Sequence, residues 1–167
     1  TELRNQNNKG IEVIDTTDPY GDCEVWIGGL DAEDRNIIAG NSQSGIYIDN
    51  EKQNTDIFIL NNYIGMVDDT TSEFNNRHGI EVVKSAGILN IGGDHLTQGN
   101  LIAGNKNLGV FIAESNTASI QGNTFSSNAA GTAYIPNDMG DVKVFDSPYL
   151  RIGGETTAYG NVIPQGV

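Results

Sequence analysis

The sequence predicts an all-β fold, a right-handed parallel β-helix of about five rungs with three short strands per rung and no capping helix. Three observations predict it. A glycine-led apolar motif recurs about every 30–35 residues, β-branched residues alternate in short bursts, and one asparagine keeps its place in every unit.

The long repeat is visible first. Ile27-Gly28-Gly29 recurs as Ile91-Gly92-Gly93 and as Ile152-Gly153-Gly154. Asn36-Ile37-Ile38-Ala39-Gly40-Asn41 recurs as Asn100-Leu101-Ile102-Ala103-Gly104-Asn105, and weakly at Asn161-Val162-Ile163. The first recurrence lies 64 residues on (27 to 91, 36 to 100, 45 to 109) and the second 61 (91 to 152). A shorter period divides this one. Gly10-Ile11-Glu12-Val13, Gly45-Ile46-Tyr47-Ile48, Gly79-Ile80-Glu81-Val82 and Gly109-Val110-Phe111-Ile112 each open a unit, and a fifth opens near Asp141-Val142-Lys143-Val144.

Each unit carries three bursts. The second strands read Val25-Trp26-Ile27, Ile57-Phe58-Ile59, Leu89-Asn90-Ile91, Ala118-Ser119-Ile120 and Leu150-Arg151-Ile152. The third are short and each follows an asparagine. Strands of about three residues are unstable alone, so they must stack on their equivalents as parallel sheets. Alternation then points Ile11, Val13, Ile46, Ile48, Ile80, Val82, Val110 and Ile112 inward from the first sheet. Ile27, Ile59, Ile91, Ile120 and Ile152 fill the second, and Ile38, Ile64, Ile102, Phe125 and Ile163 the third. Each fully buried aliphatic side chain contributes roughly 1.5–3 kcal/mol, which suffices for such a core.

The asparagines are Asn36, Asn62, Asn100, Asn123 and Asn161. An amide turned inward at a corner can bond backbone groups and the equivalent amide one rung away, which predicts a ladder.

Ile91-Gly92-Gly93 followed by Gly99-Asn100-Leu101-Ile102-Ala103-Gly104-Asn105, together with Asn62-Tyr63-Ile64-Gly65, resembles the patterns of right-handed parallel β-helix repeat proteins of bacterial and archaeal cell surfaces, a pectate-lyase-like fold. The resemblance runs from about Gly10 to Ile163. It implies an extracellular or cell-surface location. The same superfamily includes polysaccharide lyases, hydrolases, epimerases, tailspikes and adhesins, so the fold leaves function open.

Composition narrows the classes. Nine Lys+Arg against 22 Asp+Glu give a formal charge of −13, which argues against nucleic acid and anionic membranes. No apolar run is long enough to span a bilayer. The single Cys23 excludes a disulfide framework. The carboxylates permit Ca²⁺: Asp15, Asp18 and Asp22 follow the first strand of rung one, and Asp49, Glu51 and Asp56 that of rung two. Asp68, Asp69 and Glu73 cluster in the loop 65–78. Solvated turns are the competing reading, and no cofactor is otherwise required.

Trp26, Tyr47, Phe58 and Phe111 are expected on outer sheet faces, under a loop, a partner chain or a sugar ring. For a lyase- or epimerase-like enzyme, Arg77, His78 and His95 are the available bases, but no outer ladder groups Asp residues around one of them. The chain opens and closes within the repeat, so residues 1–167 read as a single β-helix domain, or as a segment of a longer solenoid. The expected role is structural or adhesive, with head-to-tail self-association or continuation of the solenoid. A polysaccharide-binding or polysaccharide-modifying domain is the alternative.

Overall fold

A computed structural model describes residues 8–15, 23–51, 55–66, 76–95, 97–156 and 159–164. Thirteen strands wind through it in chain order: β1 (Ile11–Ile14), β2 (Cys23–Gly28), β3 (Ile37–Ile38), β4 (Ser44–Asn50), β5 (Thr55–Leu60), β6 (Tyr63–Ile64), β7 (His78–Gly92), β8 (Leu101–Ile102), β9 (Leu108–Ala113), β10 (Ser115–Gln121), β11 (Thr124–Phe125), β12 (Gly140–Phe145) and β13 (Tyr149–Ile152). A 3-10 turn spans Ala32–Asp34.

All strand pairings are parallel, each joining a strand to its equivalent one rung away. The first face stacks β1, β4, the front of β7, β9 and β12, in register through Ile11, Ile46, Ile80, Val110 and Val142. The second stacks β2, β5, the back of β7, β10 and β13. The third stacks β3, β6, β8 and β11, with a bridge from Thr124 to Val162 beginning a fifth level. This is a parallel β-helix, and its faces follow the predicted alternation.

Two details depart from expectation. The first- and second-face strands run mostly to six or seven residues rather than three, and β7 continues for 15 residues across the corner between them. The corner is therefore a bend in a continuous ladder, marked by a register shift between Ile48 and Asp49 on β4. Ile152 and Ile163, expected in the core, are 52% and 53% exposed. Both lie on the last rung, where no further described strand covers them. Middle-rung equivalents such as Ile59, Ile91, Ile64 and Ile102 are fully buried.

Polar corners hold the coil together. The Nδ2 atoms of Asn36, Asn62, Asn100 and Asn123 donate to the Oδ1 atoms of Asn62, Asn100, Asn123 and Asn161 at 2.9, 3.1, 2.9 and 3.1 Å. A second ladder, not anticipated, occupies the corner before the first face. There the Nδ2 atoms of Asn41, Asn76 and Asn105 donate to the Oδ1 atoms of Asn76, Asn105 and Asn137 at 2.7, 3.2 and 2.8 Å.

The 64-residue period also has a structural meaning. In odd rungs eight positions separate the left-handed glycine from the ladder asparagine (Gly28 to Asn36, Gly92 to Asn100, Gly153 to Asn161). In even rungs the turn is tight, through Asn61 at φ 57° and Gly122 at φ 66°. The longer loops fold over the tight turns. Asn61 N–H donates to Gln98 O at 2.9 Å, Asn61 Nδ2 to Asp31 O at 2.5 Å, and Gly122 N–H to Tyr159 O at 3.1 Å. Thr97 Oγ1 donates to Leu30 O at 3.0 Å, joining the first two loops across the intervening rung. Together they form a wall along one edge of the second face.

Candidate functional site

The outer ladder of the second face reads Trp26, Phe58, Asn90, Ser119 and Arg151, one residue per rung. Parallel in-register pairing places identical strand positions about 4.8 Å apart, close to the stacking distance of aromatic rings. Trp26 and Phe58 use that coincidence: their centroids lie 4.4 Å apart at an interplanar angle of 22°. Rings stacked along the solenoid axis stand roughly across it, edges outward. Phe58 thus turns one face to Trp26 and the other toward the Asn90 level.

Trp26 is 47% exposed and its Nε1–H donates to Glu24 Oε2 at 3.0 Å, which fixes the indole. On the next two rungs Ser119 Oγ donates to Asn90 Oδ1 at 2.6 Å. The ring stack, this polar pair and the loop wall enclose a cleft of about 290 Å³, lined also by Leu30, Leu60, Asp94, Gln98 and Gln121. Its side is built by the Ile-Gly-Gly turn. Gly92 is left-handed at φ 74°, and a Cβ on Gly93 would lie 2.1 Å from Gln98 Oε1, so only glycine lets Gln98 fold back. The same Oε1 accepts from Asp94 N–H at 3.0 Å.

The other two expected outward aromatics sit apart on the first face. Tyr47 carries the Lys9 ammonium 3.5 Å above its ring, and burial raises its phenol above the ordinary value. Lys9 also pairs with Glu12, and Ser44 donates to Glu81. Phe111 lies 6.2 Å from the His78 ring.

The structure does not bring the expected bases into the cleft. His78 opens β7 on the first face with its Nδ1 buried and without a protein partner, and Nε2 lies 3.4 Å from the Asn107 amide. Arg77 Nε lies 3.2 Å from the same side-chain amide. His95 is exposed in the loop 93–99, with Nδ1 3.1 Å from Thr97 Oγ1.

The acidic turns separate likewise. Asp15, left-handed at φ 39°, accepts from Glu51 N–H at 3.1 Å. Glu51 pairs with Lys84, Asp56 accepts from Ile88 N–H at 2.9 Å, and Asp49 lies beside Lys84 in the ladder. Asp18, Asp22, Asp68, Asp69 and Glu73 lie outside the described residues. Among the described residues no three His, Cys, Asp or Glu side chains come together as a metal site.

Residues 30–162 match the family described as periplasmic copper-binding protein (NosD). No curated protein and no solved structure matches the chain. Among the described residues no helix is long and apolar enough to cross a membrane. Copper favours thiolate, thioether and imidazole ligands, and all five such side chains are described. Cys23 opens β2, Met66 is buried beyond β6, His78 opens β7, His95 sits in the loop wall and Met139 is exposed before β12. They are spread over four rungs and several faces, so the residues present do not fit a copper centre.

Proposed function

We propose that this chain, which belongs to the NosD family of periplasmic copper-binding proteins, serves outside the cytoplasm as a rigid adhesive β-helix that holds a polysaccharide on the outer face of its second sheet. The observation that carries this reading is the Trp26–Phe58 stack beside the Asn90–Ser119 pair, inside a walled cleft. A sugar ring is amphipathic: its C–H face packs on an aromatic ring while its hydroxyls seek amides and hydroxyls. Stacking at a cleft of this kind contributes on the order of 1 kcal/mol per ring, so avidity along a repeating polymer supplies the rest.

The test is binding to immobilised polysaccharides. Phe58→Ala should lower affinity about tenfold or more, equivalent to about 1.4 kcal/mol, with circular dichroism unchanged. Equal binding by Phe58→Ala and wild type would remove the cleft from the function.

A second reading, axial assembly, is favoured by the end rungs. The inward residues Ile11 and Val25 on the first rung, and Val142, Val144 and Leu150 on the last, are only partly buried, and Ile152 and Ile163 are exposed. A further rung, from the same polypeptide or a second copy, would cover them. Sedimentation distinguishes the outcomes: Val144→Lys should shift any self-associated species to monomer, and a concentration-independent monomer would count against stacking between copies.

A further inference from the structure

We propose that the second-face cleft takes a glycan residue that bears no acid group, seated with its apolar side on the free face of Phe58 and its polar substituents on Asn90, Ser119 and Gln98. This rests on the reading of the cleft as a glycan site and specifies the ligand. Of the lining side chains only Asp94 carries a carboxylate, and no Lys, Arg or His lines the cleft. The surrounding wall adds exposed Asp31, Glu33 and Asp34, and Glu24 stands beside Trp26.

Neither Arg35 nor Arg151 lines the cleft, and each makes its contacts outside it. Arg35 donates to Asn61 Oδ1 at 2.9 Å through Nη2 and lies over the Tyr63 ring at 4.3 Å. Arg151, further along the outer ladder, pairs with Glu155 at 2.9 Å. A uronate or sulfate in the cleft would therefore meet the Asp94 carboxylate and no cation in the lining. It would have to shed water around its carboxylate without gaining an ion pair. Neutral hydroxyls and acetamides face no such cost, and the amides and hydroxyls of the lining supply both donors and acceptors.

Trp26 is the only tryptophan in the chain and is stacked on Phe58, so its fluorescence reports directly on occupancy of the cleft. The experiment titrates the intact chain with neutral hexose oligosaccharides, N-acetylhexosamine oligosaccharides and oligouronates at low salt, with isothermal calorimetry in parallel. The expected result is a saturable change in tryptophan emission with at least one non-acidic series, and binding of oligouronates at least tenfold weaker. Raising salt to physiological ionic strength or above, where the Debye length falls to about 8 Å or less, should narrow that ratio. Asp94→Asn should also narrow it, by admitting the acid.

Oligouronates binding as tightly as the neutral series, or more tightly, would overturn the proposed selectivity while leaving a glycan site standing. Failure of every series to bind would overturn the glycan reading itself, and the selectivity with it.

Discussion

A Cβ placed on Gly45 would lie 2.6 Å from Nδ2 of Asn76, the amide of the second ladder one rung on. The same lock repeats at Gly10 with Asn41, at Gly79 with Asn105 and at Gly109 with Asn137. The glycine that opens each of the first four rungs is thus the complement of an asparagine column. Its missing side chain leaves the space into which the amide turns, and the amide then reaches its neighbour and the backbone of the preceding corner.

From that lock, Gly45→Ala is expected to destabilise the chain by about 1–3 kcal/mol, as overpacking does. The Cβ would also stand 2.8 Å from the carbonyl oxygen of Gly79, so rotation of the amide alone cannot relieve it. Chemical denaturation measures the effect. A midpoint unchanged from wild type would show that the corner has slack.

The first ladder makes a graded prediction. Asn100 donates from Nδ2 to Ile59 O at 2.7 Å and Asn123 Oδ1 at 2.9 Å, and its own Oδ1 accepts from Asn62 N at 2.9 Å and Nδ2 at 3.1 Å. All these partners are buried, so Asn100→Ala should cost about 1–3 kcal/mol through groups left unsatisfied. Asn36 lies exposed at the end of the ladder, and Asn36→Ala should cost clearly less. Equal midpoint shifts for the two variants would contradict the difference in burial.

The core makes the third. Ile91 is fully buried, and Ile91→Ala should cost about 2–5 kcal/mol by leaving a cavity between rungs. Ile152, one long repeat later at the same motif position, is half in solvent, and its truncation should cost less than about 1 kcal/mol. Comparable losses would mean that the last rung is covered in solution.

How much of this was legible follows from which contacts repeat. Ile27, Ile59 and Ile91 recur with their neighbours at fixed spacing, so the alternation gives the faces and the first asparagine column gives a corner. The second column hides because its members sit in unlike contexts: Gly40-Asn41 and Gly104-Asn105 match, but Asn75-Asn76 and Pro136-Asn137 do not. The link between Gly45 and Asn76 is a relation across rungs, invisible to any local motif. The cleft was half legible. Trp26 and Phe58 were recognisable as outward neighbours, whereas the wall of Leu30, Asp94 and Gln98 depends on loops folding over the tight turn at Asn61.

His78 supplies the last prediction. Burial is the main influence on its imidazole and lowers its pKa below the ordinary 6.5; Glu81 opposes this and the Arg77 charge adds to the lowering. The unfolded chain therefore takes up this proton at higher pH than the folded chain does. The neutral ring's contribution to stability is fully present above about pH 6.5 and is lost as pH falls through the lower folded value. Its buried Nδ1, which has no protein partner, sharpens the effect, because a proton there brings charge with no acceptor to receive it. Thermal unfolding of wild type and His78→Gln at about pH 7.5 and about pH 5 separates this contribution from that of the many carboxylates, which both chains share. The wild type should lose more of its melting temperature on acidification than the variant does. Identical losses would show that His78 takes up its proton in the folded chain as readily as in the unfolded one.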